Sequence, residues 1–378
     1  MNVENIALIF SHSRPDAFML KAFLSQSRLR TSGALPIIML LLVAAAVAFA
    51  DSPASAGSAQ WTKQKSNTLA WLHAIYFLDG DIGWAVGGNG ALLSTHDGGA
   101  TWRTSPRPTE DALRDLYFSD TQNGWLVCDR SIYKLKTNDE PRTYLLRTTN
   151  GGAAWQRVEV TSADPAERLV RVVFADNKTG WAFGEAGAVY TTRDGGESWA
   201  RQLIPTRRLL LGGSFIGQNQ GWLVGAGATI LQTSDGGETW RAAFAGGALN
   251  ARLNAVSFVD KMHGWAVGAE GIILSTRNGG NVWRKQISNV ATDLNDVKFI
   301  DEAEGWAVGA EGVLLHTTNG GGSWTIEHSG TTHPLERLYL IGRARGWAVG
   351  FGGTIINYGV AGNLSAPRAP QLKTIPTH

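Results

Sequence analysis

The sequence predicts an all-β fold, a seven-bladed β-propeller of four-stranded blades whose ring is closed by the N-terminal strand. A Gly-Trp pair recurs seven times, and four of the six steps between its tryptophans are 41 residues long. A leucine precedes each of these tryptophans by twelve residues, and a phenylalanine, or a leucine in the last copy, precedes it by seven. A period near 41 residues with four short strand-like runs is typical of a propeller blade. The tryptophans are Trp84, Trp125, Trp181, Trp222, Trp265, Trp306 and Trp347.

Alternation of apolar and polar residues divides each repeat into four strands. The innermost strand is the Leu-x-x-apolar-x-Phe run, the second is Trp-x-Val, and the third is the apolar run before a threonine. The outermost strand begins at the tryptophan of a second motif, Thr-x-Asp/Asn-Gly-Gly-x-x-Trp, which occurs six times. This Asp-box pattern predicts a structural turn, because its acidic or amide side chain accepts backbone N–H groups and its glycines supply positive φ. The residues are Asp97, Asn150, Asp194, Asp235, Asn278 and Asn319.

Ring closure is predicted from an incomplete last copy. The seventh repeat ends after residues 354–358 without a box or an outer strand. Trp61 precedes Trp84 by 23 residues, which is the spacing of four box tryptophans from the next Gly-Trp tryptophan. Because an open sheet edge exposes unpaired backbone groups, we expect the strand around Trp61 to pair with the strand near Ile355 and complete blade 7.

Composition and charge exclude several classes of function. The 378 residues contain 46 Gly, 15 Trp and only 17% charged residues, as expected for a turn-rich β protein with an aromatic core. Residues 1–50 hold four of the 34 basic and two of the 32 acidic residues, which leaves 30 of each sign for the rest. A neutral body without a basic tail argues against a general nucleic-acid binder. Cys128 is the only cysteine and the eight histidines lack metal-ligand spacing, so neither a disulfide nor a metal site is expected.

The remaining segments follow from composition. Residues 1–50 end in an apolar run, 34–50, that follows Arg28 and Arg30 and closes on Ala-Phe-Ala, which predicts a secretory signal peptide; Met19 offers an alternative start. A membrane anchor is the second interpretation, because a run of 17 residues is only just long enough to span. The predicted domains are a linker at 51–60, a propeller at 61–358 and a disordered tail at 359–378.

Blade 2 departs from the repeat. It holds 12 more residues between its two motif tryptophans than blade 1 does, and the excess lies at 134–144. The sequence places this polar segment between the second and third strands. A functional loop and a tolerated surface insertion are both open interpretations.

Arginines gather near the starts of the inner strands, on the face opposite the boxes. Arginine presents a planar fork of donors suited to carboxylates and to carbonyls at an interface. Arg168, Arg171, Arg207 and Arg208 come from the neighbouring blades 3 and 4, which predicts a rim that binds an acidic or carboxylate-bearing partner. The alternative is that these arginines are paired with nearby acids and merely solvated. The predicted partner-binding residues are Arg168, Arg171, Arg207, Arg208, Arg252 and Arg337.

A glycan-binding or glycan-active protein is the alternative function. Asp-box propellers include sialidases, which need an arginine triad, a Tyr–Glu pair and usually an Arg-Ile-Pro signature, and no Arg-Ile-Pro occurs here. Glu336, Arg337 and Tyr339 are the nearest counterparts, and all come from one strand. The acids Asp115, Asp293 and Asp296 are scattered over blades 2 and 6. We therefore predict no catalytic residue and no enzyme activity.

The repeats Leu-x-x-Val-x-Phe, Gly-Trp-Ala-Val-Gly and Thr-x-Asp-Gly-Gly-x-x-Trp resemble those of the photosystem II stability/assembly factor family over residues 60–358. That resemblance implies a lumenal seven-bladed propeller that binds a newly made reaction-centre subunit through an arginine patch, to which the arginines of blades 3 and 4 correspond. The chain has no lipoprotein-type cysteine near Ala50, unlike many members from photosynthetic organisms.

The predicted function is therefore a non-enzymatic, exported propeller that binds and escorts a membrane-protein partner during complex assembly. Its expected location is the periplasm or an equivalent of the thylakoid lumen, with membrane association if the signal is not cleaved. We expect a monomer that binds a protein segment, with no cofactor, no nucleic acid and no stable small-molecule ligand. The client and its host are open at this stage.

Overall fold

The computed structural model describes residues 59–137, 140–158, 160, 167–243 and 250–360. The predictions for the signal peptide, for most of the linker and for residues 361–378 of the C-terminal tail lie outside the described residues. Gly359 and Val360, the first two residues of the predicted tail, belong to a strand, Ile355–Val360. Within the described ranges no helix is long and apolar enough to cross a membrane.

The described chain forms seven four-stranded antiparallel sheets, the blades of a propeller. Blade 1 comprises β2–β5, blade 2 β6–β9, blade 3 β10–β13, blade 4 β14–β17, blade 5 β18–β21, blade 6 β22–β25, and blade 7 β26–β28 with β1. The strands are β1 (Ala59–Gln64), β2 (Leu72–Phe77), β3 (Gly83–Gly87), β4 (Leu92–Thr95), β5 (Arg103–Thr104), β6 (Ala112–Phe118), β7 (Gly124–Asp129), β8 (Thr143–Thr148), β9 (Gln156–Val158), β10 (Leu169–Phe174), β11 (Gly180–Gly184), β12 (Val189–Thr192), β13 (Ala200–Arg201), β14 (Leu210–Ile216), β15 (Gln220–Gly225), β16 (Thr229–Thr233), β17 (Arg241–Ala242), β18 (Leu253–Phe258), β19 (Gly264–Gly268), β20 (Ile273–Thr276), β21 (Arg284–Gln286), β22 (Leu294–Phe299), β23 (Gly305–Gly309), β24 (Leu314–Thr317), β25 (Thr325–Ile326), β26 (Leu335–Ile341), β27 (Arg345–Gly350) and β28 (Ile355–Val360).

Short 3₁₀ turns join the second and third strands of every blade. They are Gly88–Gly90, Ile132–Lys134, Glu185–Gly187, Ala226–Ala228, Ala269–Gly271, Ala310–Gly312 and Phe351–Gly353. In blade 1 the amide of Gly88 donates to the carbonyl of Trp71, so the turn lies beside the start of the inner strand. We call this side of the ring the mouth face and the side of the Asp boxes the box face.

The predicted ring closure is confirmed. Strand β1 is the outer strand of blade 7 and pairs antiparallel with β28, with Trp61 opposite Tyr358 and Gln64 opposite Ile355. The Trp61 indole is buried against Tyr358, with 5.4 Å between the ring centroids. The first strand of the described chain thus covers the edge that the last repeat leaves open.

Close packing of aromatic rings explains the Gly-Trp motif. Six of the seven tryptophans pack against the motif phenylalanine of the next blade, as Trp222 does on Phe258 with ring centroids 3.5 Å apart; Trp306 is the exception, because blade 7 has Leu340 at that position. The preceding glycine lies under the phenylalanine of its own strand pair; a Cβ added at Gly264 would lie 2.5 Å from the Phe258 ring. Any larger residue would force these stacked rings apart, so the motif is a requirement of the core.

The Asp boxes form the predicted structural turns. In blade 4, Asp235 accepts hydrogen bonds from the Thr239 amide and the Thr233 hydroxyl, at 2.9 and 2.7 Å. These hydrogen bonds lower the pKa of Asp235 to about 2. The box also binds the preceding blade, because the Trp181 indole N–H donates to the carbonyl of Gly236 at 3.1 Å. The boxes are therefore scaffold elements that connect adjacent blades.

Candidate partner-binding site at the channel mouth

The inner strands surround a central channel, whose lining residues form three tiers. The mouth tier consists of the residue after the motif leucine in each blade, namely His73, Arg114, Val170, Leu211, Asn254, Asn295 and Glu336. All seven line one cavity of about 390 Å³. The middle tier is the next residue along each strand, and most of it lines a deeper cavity of about 200 Å³ together with three tyrosines of the box-side tier. These tyrosines are Tyr76, Tyr117 and Tyr339.

Arg168 lies at the rim of the mouth, between two acidic side chains. Its guanidinium is 2.9 Å from Asp129 and 3.0 Å from Glu185, each measured nitrogen to oxygen. Asp129 also accepts from Arg114 at 2.8 Å, so one buried carboxylate serves two arginines. For Arg168 the alternative interpretation, pairing with nearby acids, therefore describes its contacts.

Arg207 and Arg208 are exposed on the same rim. Arg207 lies beside the 3₁₀ turn of blade 3, because a Cβ added at Gly187 would be 3.2 Å from its Cα. Within the described residues no ion pair or side-chain hydrogen bond of Arg207 is found. Arg208 donates to the carbonyl of Gly227 at 2.5 Å and has no acidic partner in the described part of the chain. These two guanidinium groups therefore keep donors available to an incoming anion.

Arg171 and Arg337 lie deeper than the rim, in the middle tier. Arg171 donates to the carbonyl of Leu211 in the next blade at 2.7 Å. Arg337 reaches Asp115 at 3.2 Å, from blade 7 to blade 2, past the small side chain of Ala74 in blade 1. Burial raises the pKa of Asp115 to about 6, and the charge of Arg171 opposes that rise.

The structure thus separates the predicted arginines into two levels. Arg168, Arg207 and Arg208 share the rim of blades 3 and 4, whereas Arg171 lies inside the channel. The reason is a register shift between Leu169 and Arg171, which repeats in every inner strand and turns the middle-tier residue into the channel. In blade 5, Arg252 lies at the rim, where its guanidinium is 2.7 Å from the carboxylate of Asp293.

The acidic side chains at the mouth are engaged by neighbours. Asp293 contacts Arg252 and accepts from the amide of Glu270 at 3.0 Å. Glu336 accepts from the indole N–H of Trp71 at 3.1 Å. Tyr339 packs against Tyr76, with 5.2 Å between ring centroids. In the described part of the chain no cluster of three or more His, Cys, Asp or Glu side chains could hold a metal ion.

The insertion of blade 2 lies on the mouth face, between β7 and β8. Its flanking Arg130 contacts Glu140 at 2.9 Å, and Lys134 is 3.7 Å from Asp111 in the linker that precedes blade 2. Tyr133 is almost fully exposed. The segment is thus attached beside the candidate site, and both sequence interpretations stay open.

Sequence reasoning missed an aromatic pair on the same face. Trp71 and Phe351 contact each other edge to face, and both are partly exposed at the junction of blades 7 and 1. A signal was available, because Trp71 is the one tryptophan that fits neither the Gly-Trp motif, nor the box, nor the box-equivalent position of Trp61.

A family model described as photosynthesis system II assembly factor YCF48 matches residues 102–207, 200–286 and 248–334. Together these matches cover residues 102–334, well over half of the chain. The chain belongs to this family. The resemblance found in its repeats and its seven-bladed fold are thereby confirmed.

Individual proteins of known name agree with this assignment. The photosystem II assembly lipoprotein Ycf48 of Synechococcus sp. (strain CC9902) is 30% identical over 148 residues, 38% of this chain and 40% of that protein. The match thus spans less than half of the relative's length. A solved structure of YCF48 bound to D1 peptide aligns with a TM-score of 0.65 at 20% identity, over 82% of this chain and 99% of that one.

The same fold also occurs in an enzyme. The GH74 xyloglucanase of Xanthomonas campestris aligns with a TM-score of 0.60 at 12% identity, over 78% of this chain and 53% of that one. At such identity the likeness concerns the fold alone.

Proposed function

We propose that this chain is an exported, non-enzymatic assembly factor that binds a segment of a membrane-protein subunit at its mouth face. The observation that carries the proposal is the rim of blades 3 and 4. There the exposed guanidinium groups of Arg207 and Arg208 stand beside Arg168 with no acidic partner of their own in the described residues. Charge-assisted hydrogen bonds to a carboxylate are stronger than neutral ones, which suits this rim to an acidic segment or a chain terminus.

The arginines at the rim and those in the middle tier have different roles. The rim arginines are accessible to a partner, whereas Arg171 and Arg337 are mostly buried and fixed by Asp115 and by backbone of the adjacent blade. We expect the rim to contribute most of the binding. The middle tier connects blades of the ring, and its two arginines are balanced by Asp115 and Asp296. A partner segment would therefore lie across the mouth with its anionic group near blades 3 and 4.

Two relatives support the kind of partner. The Synechococcus relative is a photosystem II assembly lipoprotein, and a YCF48 structure contains a D1 peptide. By analogy, the client of this chain is an exported segment of a membrane-protein subunit during assembly. Export of this chain agrees with the signal peptide predicted at residues 1–50, and escort of the subunit into its complex is part of the proposal.

The engaged acids argue against the glycosidase alternative. Glycosidases place two carboxyl groups on either side of a glycosidic bond, one of them acting as acid and the other as nucleophile or base. At the mouth Glu336 is hydrogen-bonded to Trp71, and Asp293 to Arg252 and a backbone amide. In the middle tier Asp115 accepts from Arg337 and is 4.0 Å from Arg171. Burial raises the pKa of Asp115 and of Glu336. Each of these carboxyl groups is nevertheless engaged by its own neighbours, which disfavours a pair that acts together on one glycosidic bond.

The test is capture of a partner by variants of the rim. R168A/R207A/R208A removes three rim charges and R171A removes the channel arginine, while R103A/R241A/R284A removes three exposed arginines from outer strands. Each protein is used in pull-downs from solubilised host membranes and in binding assays with a D1 peptide, beside a thermal melt. We expect the rim variant to lose at least about tenfold in peptide affinity, as for loss of paired interface charges, and to melt lower because it loses the Arg168–Asp129 ion pair. The variant R207A/R208A breaks no ion pair in the described part of the chain, so it should weaken binding at an unchanged melting temperature.

The outer-strand control should bind as the wild type does. Equal binding by the rim variant and the wild type would contradict the proposal. R171A should lower the melting temperature, because it breaks a bond between blades 3 and 4. The quadruple variant that adds R171A to the rim changes is therefore not a clean test of binding.

A further inference from the structure

We propose that Trp71 and Phe351 form an apolar subsite of the mouth face, which binds an aromatic or branched aliphatic side chain of the partner segment. The inference rests on the proposed function and adds a second recognition element to it. The partner is then an extended peptide that carries an apolar side chain as well as a carboxylate. A purely acidic segment would use only half of the surface.

Repeat position shows that Trp71 has no scaffold role. Fourteen of the 15 tryptophans occupy the Gly-Trp position, the box or the box-equivalent Trp61. Trp71 occupies the position just before the motif leucine, where other blades carry residues as different as Arg168, Asp293 and Pro334. It is 42% exposed, whereas the seven Gly-Trp tryptophans are all buried.

One other junction has two interacting side chains at the same repeat positions. In blades 2 and 3 the same two repeat positions carry Asp129 and Arg168, which form an ion pair at 2.9 Å. At the junction of blades 7 and 1 they carry Phe351 and Trp71, with ring centroids 5.3 Å apart at an interplanar angle of 82°. Two large apolar rings thus stand where the junction of blades 2 and 3 has an ion pair, and they remain 46% and 42% exposed. Exposed apolar patches of this kind mark interaction sites, and aromatic residues are enriched at interfaces.

The pair is held in place before any partner arrives. The Trp71 indole N–H donates to Glu336 at 3.1 Å, and its carbonyl accepts from Gly88 at 2.9 Å. On the other side His333 packs against Phe351 at 5.5 Å and contacts the Thr354 hydroxyl at 3.0 Å. Rigid aromatic rings lose little entropy on binding, so a preorganised pair gains more from each contact than a flexible side chain would.

Trp71 of the aromatic pair lines the mouth cavity, a recess that it shares with four arginines, Arg114, Arg171, Arg252 and Arg337. A single extended segment that enters this cavity can therefore place an apolar side chain on blades 7 and 1 and an anionic group on blades 2 to 5. Aromatic platforms also stack on neutral sugars, but the concentration of guanidinium groups around the same recess favours a ligand with a carboxylate.

The test uses fluorescein-labelled peptides ending in Asp-Glu, in which one phenylalanine is moved stepwise along a Gly-Ser background. Matched peptides carry serine in place of phenylalanine, or Asn-Gln in place of Asp-Glu. Binding is measured by fluorescence anisotropy with the full chain as wild type, W71A, W71F, F351A and the control I287A. Ile287 is an exposed apolar residue after the outer strand β21 and does not line the mouth cavity.

We expect the best phenylalanine peptide to bind wild type about tenfold more tightly than its serine counterpart, the effect of burying one aromatic side chain. W71A and F351A should abolish this preference while retaining the weaker binding of the serine peptide. W71F and I287A should keep the preference. A phenylalanine preference that survives in both W71A and F351A would overturn the inference.

The peptide panel and the variants distinguish failure of this subsite from failure of the proposed function. Binding of acidic peptides that depends on the rim arginines but not on phenylalanine leaves the proposed function standing and removes the subsite. If no peptide of the panel binds wild type, both fail. If a neutral cello-oligosaccharide binds in a Trp71-dependent way and the acidic peptides do not, the platform is a glycan site and the inference is overturned.

Discussion

Replacing one Gly-Trp tryptophan by phenylalanine should cost far more at the junction of blades 7 and 1 than at the junction of blades 6 and 7. Trp347 and Trp306 occupy the same repeat position and are both fully buried. Trp347 stacks on Phe77 at 3.7 Å and donates its indole N–H to the carbonyl of Gly98, in the box of blade 1, at 2.9 Å. Blade 7 has neither a box nor the motif phenylalanine, and Leu340 stands in its place.

Trp306 therefore stacks on His316 instead, at 4.1 Å, and its buried indole N–H has no hydrogen-bond partner in the described residues. In W347F the Gly98 carbonyl loses its donor, which costs about 1–3 kcal/mol when the group stays buried. In W306F the change removes a buried N–H that was already without a partner, so only apolar contact is lost. The same chemical change is thus expected to differ by about 2 kcal/mol between the two sites.

The assay is urea unfolding of both variants and wild type, followed by tryptophan fluorescence and circular dichroism and compared by transition midpoint. We expect the midpoint of W347F to fall clearly below that of W306F, which should lie near wild type. Equal midpoints, or a lower midpoint for W306F, would refute the view that the box carbonyl and the tryptophan form an inter-blade connection.

Three further outcomes follow from the described residues. Deleting residues 51–66 removes β1 and should cause aggregation because it exposes the edge of β28; an unchanged elution profile and melting temperature would count against the closure mechanism. Burial and the nearby Arg114, Arg168 and Arg171 lower the pKa of His73 from 6.5 to about 4. Between pH 4 and pH 6.5 the unfolded chain therefore binds more protons at His73 than the folded chain does. His73 should thus contribute stability that is lost as pH falls from about 6.5 to about 4, by at most about 3 kcal/mol. The variant H73N should flatten that part of the pH–stability curve. The Cys128 thiol is fully buried and burial raises its pKa, so iodoacetamide should modify it only at the rate of unfolding; rapid labelling of the native protein would contradict this placement.

The scaffold was predictable because its motifs repeat. Spacing alone placed Trp61 in the last blade, since a closed ring must pair every strand edge and the register left only one vacancy. The boxes were predictable because a threonine, a carboxylate or amide and two glycines at fixed offsets satisfy a turn by themselves. The family followed from the same repeated residues.

The site was less predictable because its residues are those that the repeat does not fix. A register shift that recurs in each inner strand sends Arg171 and Arg337 into the channel, and a sequence pattern of alternation does not show such a shift. The repeat pattern also does not show how a side chain can fit at Cys128, where the other blades have glycine. At the equivalent Gly184 a Cβ would lie 1.9 Å from the carbonyl oxygen of Arg168, and blade 2 accommodates a side chain there because its strands continue, with Asp129 pairing Ala112 and Thr143.

Site-specific photocrosslinking can show directly whether a partner segment binds the mouth face. A benzophenone amino acid is introduced in place of Arg207 on the rim or in place of Lys178, an exposed residue of the box-face turn between β10 and β11. Each protein is irradiated with solubilised host membranes or with the D1 peptide, and adducts are identified by mass spectrometry. We expect an adduct with an exported segment of a membrane-protein subunit from position 207 and none from position 178. Adducts from position 178 alone would place the partner on the box face and contradict binding at the mouth face.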